Sequence, residues 1–241
     1  MAGQKSADVV AAHVIAKLFD GSLKGGDRID IEAFGKELGV SRAPVREALA
    51  QLERDGLVVV TFHRGAHVAP FDAGTVRQAF ELYALLIGWA SRHVANRRNP
   101  WTIAALSEAL PRIQRADDPD VLELEARNFR RIVNLSVAGP HLKALLRTFW
   151  GLVPLATQLA MPQLMDKVAP MFEEEFEAVR DGDGARAEVI ATANARLMGI
   201  TATEILRQRG VIPADDPPAP WTTGQLPLPE FLMAHRSGEE V

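Results

Sequence analysis

Apolar residues recur at helical spacing from the start of the chain. Val9, Val10, Val14, Leu18 and Phe19 predict a helix over about 8–19. Gly21, Gly25 and Gly26 interrupt it. A second helix follows over about 31–38 and stops at Gly39, where a helix C-terminus favours glycine. A third starts at once. Ser41 is a natural N-cap, and Pro44 falls in the first turn, where no N–H is required. Val40 and Val45 have the spacing of a hydrophobic staple, and Ala48, Leu49 and Leu52 carry the inward stripe to about Arg54. The tight junction between the second and third helices has the form of a helix-turn-helix.

Two β-branched flanks then enclose an Arg-Gly step: Gly56 to Thr61, Phe62-His63-Arg64-Gly65, and Ala66 to Pro70. This is a hairpin pattern, and three helices followed by a hairpin make a winged helix. From about Thr75 to Arg209 only helical patterns remain. Val76, Phe80, Tyr83, Ile87, Ala90 and Val94 form one stripe. Later helices are expected over 100–115, 119–137, 140–161, 162–180 and 184–209, with Pro and Gly between them. The predicted fold class is mainly α. An N-terminal winged helix-turn-helix (three helices plus a β-hairpin, 1–71) precedes an all-α helical bundle (72–210). From Val211 onward lie 6 of the 15 prolines, so 211–241 reads as an extended tail.

Composition narrows the chemistry. The 241 residues include no cysteine, which excludes disulfides, thiolate metal sites and cysteine nucleophiles. No apolar run approaches the ~20 residues of a membrane helix, and the first residues carry no signal-peptide core. A cytoplasmic protein without a membrane partner is expected. The net charge of −4 counts on its face against nucleic acid. However, residues 1–70 hold 9 basic and 9 acidic side chains, and the remainder 18 and 22. Any phosphate footprint therefore depends on where the positive charges sit.

They sit in an informative place. Arg42 and Arg46 are four apart, hence on one face at the start of the third helix. A recognition helix presents that end to the major groove, where Arg reaches guanine or phosphate and the helix N-terminus favours anions. Arg64 at the wing tip would reach an adjacent groove or backbone. A lone Arg pair is usually solvated surface. The staple, tight turn and wing together favour the DNA reading.

The stretch Ser41-Arg42-Ala43-Pro44-Val45-Arg46-Glu47-Ala48-Leu49 resembles the GntR family of bacterial regulators. The likeness continues through Leu52, Gly56-Leu57 and Arg64-Gly65-Ala66-His67-Val68, and reaches back to Gly26-Asp27-Arg28-Ile29. It implies a homodimer on double-stranded DNA, with Ser41, Arg42, Ala43 and Arg46 on the recognition helix. His63, Arg64 and Gly65 would be contacts in the wing, and Arg28 a phosphate contact. Recognition helices one turn (~34 Å) apart would read a short pseudo-palindrome. Gly35, where the family usually has Ala, is expected to loosen the second helix.

The helical region more weakly resembles the FCD effector domain of one GntR subfamily. The resemblance rests on Glu81 with Leu85-Leu86, on Asn128-Phe129, and on Arg180-Asp181-Gly182-Asp183. It implies a divalent-metal site of one Asp and three His, but the corresponding positions hold Ala126, Arg130, Phe172 and Asn194. No metal or other cofactor is therefore expected. The family's inward Arg and Glu are replaced by Tyr83 and Ile87. If a pocket persists, Tyr83, Ile87, Ala126 and Phe172 make it apolar, Arg130 gives it a positive charge and Asn194 a neutral hydrogen-bonding group. The expected small-molecule effector then has a sizeable apolar part and one carboxylate paired with Arg130. Large apolar residues at such positions equally well fill a core, and the sequence leaves both readings open.

Other features read as structural. His63 and His67 flank the wing turn, Glu173-Glu174-Glu175 reads as a solvated helix face, and Trp89, Trp101 and Trp150 as core or dimer interface. The tail holds an apolar knot, Pro229 to Met233. No phosphate loop, nucleophile elbow or zinc-protease helix is present. A transcriptional repressor rather than an enzyme is the reading. The alternative is a winged-helix interaction or architectural module without effector control.

Overall fold

The computed structural model describes residues 2–61 and 65–213. Helix α1 (Ala2–Phe19) begins earlier than its apolar pattern suggests, because residues 2–7 carry no large apolar side chain to mark the period. Val10, Val14, Ile15 and Leu18 bury its inner face. Strand β1 (Arg28–Ile29) and helix α2 (Ile31–Leu38) follow. The Asp30 carboxylate caps α2 by accepting from the N–H groups of Glu32 and Ala33, and Gly39 closes it in the left-handed conformation (φ 65°).

Helix α3 (Arg42–Arg54) buries Val45, Ala48, Leu49 and Leu52 against α1. Gly35 has a role that helix propensity does not reveal. A β-carbon there would lie 2.9 Å from the Val40 carbonyl oxygen, and that residue's N–H donates to the Gly35 carbonyl at 2.9 Å. The missing side chain is thus what lets the turn close so tightly.

Strands β2 (Val58–Thr61) and β3 (Gly65–Val68) pair antiparallel as expected, with Val58 opposite Val68 and Thr61 opposite Gly65. The sheet has a third member. β1 pairs with the free edge of β3, Arg28 opposite His67 and Ile29 opposite Ala66, giving the order β1-β3-β2. Two residues are too few to show an alternating pattern, so only the hairpin is legible before folding.

The remaining helices are α4 (Ala73–Arg97), α5 (Pro100–Gln114), α6 (Pro119–Val137), α7 (Pro140–Arg147), α8 (Leu152–Asp181) and α9 (Gly184–Gln208). Here the expected break at Pro162 is corrected. The chain breaks at 148–151, and α8 runs unbroken through Pro162 and Pro170. Both prolines are exposed, so water can serve the carbonyls they leave without an N–H. The buried stripe of Ala156, Ala160, Leu164, Val168 and Met171 continues past them.

Helices α4 and α9 pack along most of their length. Their closeness depends on small residues: a β-carbon on Gly199 would meet Phe80 at 2.6 Å, and one on Gly88 would meet the Thr192 hydroxyl at 2.4 Å. Helix α7 is different, since none of its eight residues is buried. No described helix is long and apolar enough to cross a membrane. The tail's apolar knot lies outside the described residues.

Candidate nucleic-acid interface and ligand cavity

Helix α3 presents Ser41, Arg42, Ala43 and Arg46 to solvent. Ser41 occupies the N-cap position, but its hydroxyl makes no capping hydrogen bond and remains available at the helix end. Arg42 is held by the Glu32 carboxylate of α2, with both side chains well exposed. Arg28 projects from β1 beside the wing, its Nε 3.8 Å from where a Gly65 β-carbon would stand. Gly65 itself has φ 86°, a left-handed geometry that glycine adopts freely. Arg28, Arg42, Arg46 and Gly65 are therefore all solvent-facing features of the winged helix. The expected wing contacts His63 and Arg64 lie outside the described residues.

Behind the winged helix, the bundle encloses a cavity of about 640 Å³. All six residues selected from the sequence line it: Tyr83 and Ile87 from α4, Ala126 and Arg130 from α6, Phe172 from α8 and Asn194 from α9. Phe172 packs edge-on against Phe129 at 5.0 Å between ring centres, and Tyr83 lies 5.7 Å from the Phe149 ring. Burial raises the Tyr83 hydroxyl above its usual range, so the phenol stays neutral. The lining is apolar and aromatic, with Asn194 and Asn134 among its few polar groups.

The charge on this wall is already compensated. Arg130 donates to both oxygens of Glu175, at 2.8 Å and 2.6 Å, and to the Ser91 hydroxyl at 3.1 Å. Ser91 in turn donates to Glu175 at 2.7 Å. Burial alone would depress the Arg130 guanidinium; the Glu175 charge and its hydrogen bonds outweigh that and hold it above its ordinary value. Glu175 was expected on a solvated face and is instead fully buried. Its position was legible, because it lies three residues after Phe172 and three before Ala178, on the inward face of α8. Only Glu173 of that run is exposed.

The cavity's exposed rim is cationic. Arg127 and Arg131 of α6 and Lys143 and Arg147 of α7 all line it, and Glu123 is the one carboxylate among the described lining residues. Arg127 donates to Glu123 at 2.7 Å. Trp150, 69% exposed, stands at this rim rather than in the core. Trp101 is likewise exposed, and Trp89 stacks on His93 at the surface with ring centres 3.8 Å apart. The core alternative for these tryptophans is thus corrected, since all three side chains are exposed.

The fold and both sites define a winged-helix DNA-binding protein with a helical ligand-sized cavity attached. The model of bacterial regulatory proteins of the gntR family matches residues 6–68. An HTH-type transcriptional regulator of Mycobacterium tuberculosis is 33% identical over 242 residues, spanning 99% of this chain and 98% of that protein. A probable D-xylose utilization operon transcriptional repressor of Paenarthrobacter nicotinovorans is 26% identical over 188 residues, 76% of this chain and 82% of its own. Among solved structures, Lar of Listeria monocytogenes superposes with a TM-score of 0.59 at 17% identity, covering 83% of this chain and 97% of that one. McbR of E. coli gives 0.54 at 21% identity, covering 84% and 98%. At those identities the likeness concerns the fold alone. The chain belongs to the GntR family: it is a DNA-binding transcriptional regulator, not an enzyme.

Proposed function

We propose that this regulator is a homodimeric repressor acting in the cytoplasm, whose operator affinity is set by an apolar organic acid bound in the FCD-like helical cavity. The observation that carries the reading is the cavity itself. It has apolar walls deep enough for a hydrocarbon or aromatic body, with four cationic side chains exposed at its rim and an internal arginine neutralised by Glu175. The acid group is assigned to the rim, because the terminal nitrogens of Arg130 already donate to protein acceptors. No metal is required for this mode of binding, and Ala126, Arg130, Phe172 and Asn194 offer no divalent-ion ligand set.

Dimerisation is supported by an exposed apolar seam. Leu82, Leu85 and Trp89 follow one another at helical spacing on α4, and Val189 and Ile200 stand on the adjacent α9, all between 43% and 59% exposed. Two winged helices related by a two-fold axis would read a pseudo-palindromic operator through Arg42 and Arg46, with Arg28, His63, Arg64 and Gly65 on neighbouring backbone. A ligand would act by favouring one placement of the two winged helices over another.

The test has two parts. Selection of bound sequences from a random DNA pool should return a short inverted repeat, and Arg46→Ala should lose it without unfolding. Titration with sodium decanoate should raise the melting temperature and change operator affinity, whereas divalent metals with or without chelator should do neither. A selected site without two-fold symmetry, or stabilisation by zinc alone, would refute the reading.

A further inference from the structure

The ligand cavity and the winged helix share a wall. Glu123 and Arg127, one turn apart on α6, line the cavity on one side. The same two side chains, with Trp150 and Pro154, line a second crevice of about 390 Å³ on the other. The far wall of that crevice is the winged helix, formed by Asp8 and Ile15 of α1 and by Gln51 and Asp55 at the end of the recognition helix α3. Contact between the two parts is close here, since a β-carbon on Gly151 would meet the Ile15 side chain at 2.1 Å.

The charges around the crevice are unbalanced. Among the described residues lining it, three are carboxylates, Asp8, Asp55 and Glu123, and Arg127 is the sole cation. Glu123 is buried while Arg127 is largely exposed, and their 2.7 Å bond joins neighbouring turns of one helix. Such a pair is individually weak, but Arg127 supplies the one counter-charge among the described residues of a crevice that three carboxylates line. Arg127 is equally a member of the cavity's cationic rim, where Arg131, Lys143 and Arg147 join no ion pair within 4.0 Å among the described residues.

We infer that Arg127 reports occupancy of the cavity to the recognition helix, an anionic ligand head drawing its guanidinium away from Glu123 and leaving the crevice carboxylates unscreened. The inference rests on the reading that the cavity takes an acid. Once Arg127 turns to the ligand, Glu123, Asp55 and Asp8 repel across the crevice, and α1 and α3 loosen from α6 and α8. The ligand's apolar body sets affinity and its charge sets the response, so an uncharged analogue of the same shape binds without signalling.

Hydrogen exchange on the full chain, followed by peptide mass spectrometry, tests this without knowing the natural ligand. Without ligand, Arg127→Met should speed exchange of the α3 peptide over residues 48–55 by about tenfold, with α9 unchanged to within about twofold. Adding Glu123→Gln removes one of the three carboxylates and should recover most of that increase. Saturating sodium decanoate should reproduce the Arg127→Met pattern in the native protein, change the Arg127→Met protein no further, and outperform decanol. Unchanged α3 exchange in Arg127→Met, a rise spread equally over α9, or no recovery with Glu123→Gln would overturn the inference. If decanoate fails to bind the native protein by calorimetry, the cavity reading fails. The ligand-free variants still decide whether Arg127 holds the crevice together.

Discussion

Arg130 of α6 and Glu175 of α8 meet as a two-pronged ion pair, 45 residues apart in sequence and buried on the wall of the cavity. Each terminal nitrogen of the guanidinium faces one carboxylate oxygen, the fork geometry that carboxylates match best. Taking both charges out of water is costly, so the pair contributes little net stability, yet neither partner tolerates losing the other. Arg130→Met should therefore destabilise the protein by about 3–5 kcal/mol in urea unfolding, and Glu175→Met comparably. The double variant should recover most of the loss. Strictly additive losses would show that the two side chains do not act as a unit.

That pair also marks where the sequence stops being legible. Gly39 closes α2 in the left-handed conformation and Ser41 stands at the N-cap position of α3, though without a capping bond, and both positions were legible because each is a local relation between neighbours. Of the six cavity residues, Tyr83 and Ile87 stood out by inward helical periodicity as well as by family resemblance, whereas Ala126, Arg130, Phe172 and Asn194 came from the positions that the resemblance marks. Glu175 was masked by its acidic neighbours, although its spacing from Phe172 placed it inward. Pro162 misled because a long helix can carry an exposed proline when the carbonyl it orphans reaches water and packing on both sides holds the helix together. The shared wall of Glu123 and Arg127 left no trace in the sequence, since it depends on how α6 and α8 meet α1 and α3 in space.

Gly199 separates packing from propensity. In an exposed helix, replacing glycine with alanine stabilises by about 1 kcal/mol. Here the new methyl would stand 2.6 Å from both Cβ and Cγ of Phe80, itself only 2% exposed and surrounded by core. Because the Phe80 Cβ is tied to its own helix backbone, turning the ring alone cannot relieve the contact. Gly199→Ala should lower stability by about 1–3 kcal/mol through overpacking of α4 against α9. A raised melting temperature would mean that these helices separate more readily than their packing implies.

Asp55, at the C-terminal end of α3, gives the fold a pH dependence. Burial raises its carboxyl from the usual 3.8 to about 6, against a weaker opposing pull from Arg54. Between those values the native state keeps a proton that the unfolded chain has released. Stability is therefore greater at low pH and falls as pH rises toward about 6, then levels off. With the side chain only half-buried, solvent screening reduces the cost at pH 7 to the order of 1 kcal/mol. Asp55→Asn abolishes the titration and suits a helix C-terminus better. Its melting temperature should exceed the native one by about 2–4 °C at pH 7. Thermal unfolding at several pH values checks this: the gap should close near pH 4, and a gap of constant size would assign the gain to something other than the carboxylate.

The recognition helix carries a restraint of its own. Glu32 on α2 binds Arg42, and both side chains are exposed, 70% and 65% respectively, so the pair is worth at most about 1 kcal/mol. On DNA, the same carboxylate would sit near phosphates that Arg42 is meant to approach, adding repulsion as well as competition. Glu32→Gln should therefore tighten binding to the selected operator several-fold at low salt, by roughly 1 kcal/mol, and to unrelated DNA by a similar factor. Arg46 joins no ion pair within 4.0 Å among the described residues, and its loss should behave differently. If it reads a base, Arg46→Ala should cost about 1–3 kcal/mol on the operator and much less on unrelated DNA. Fluorescence anisotropy across a salt series separates the two effects. Equal losses on both DNAs, with a salt slope reduced by about 1, would make Arg46 a phosphate contact and leave sequence reading to Arg42 and its neighbours.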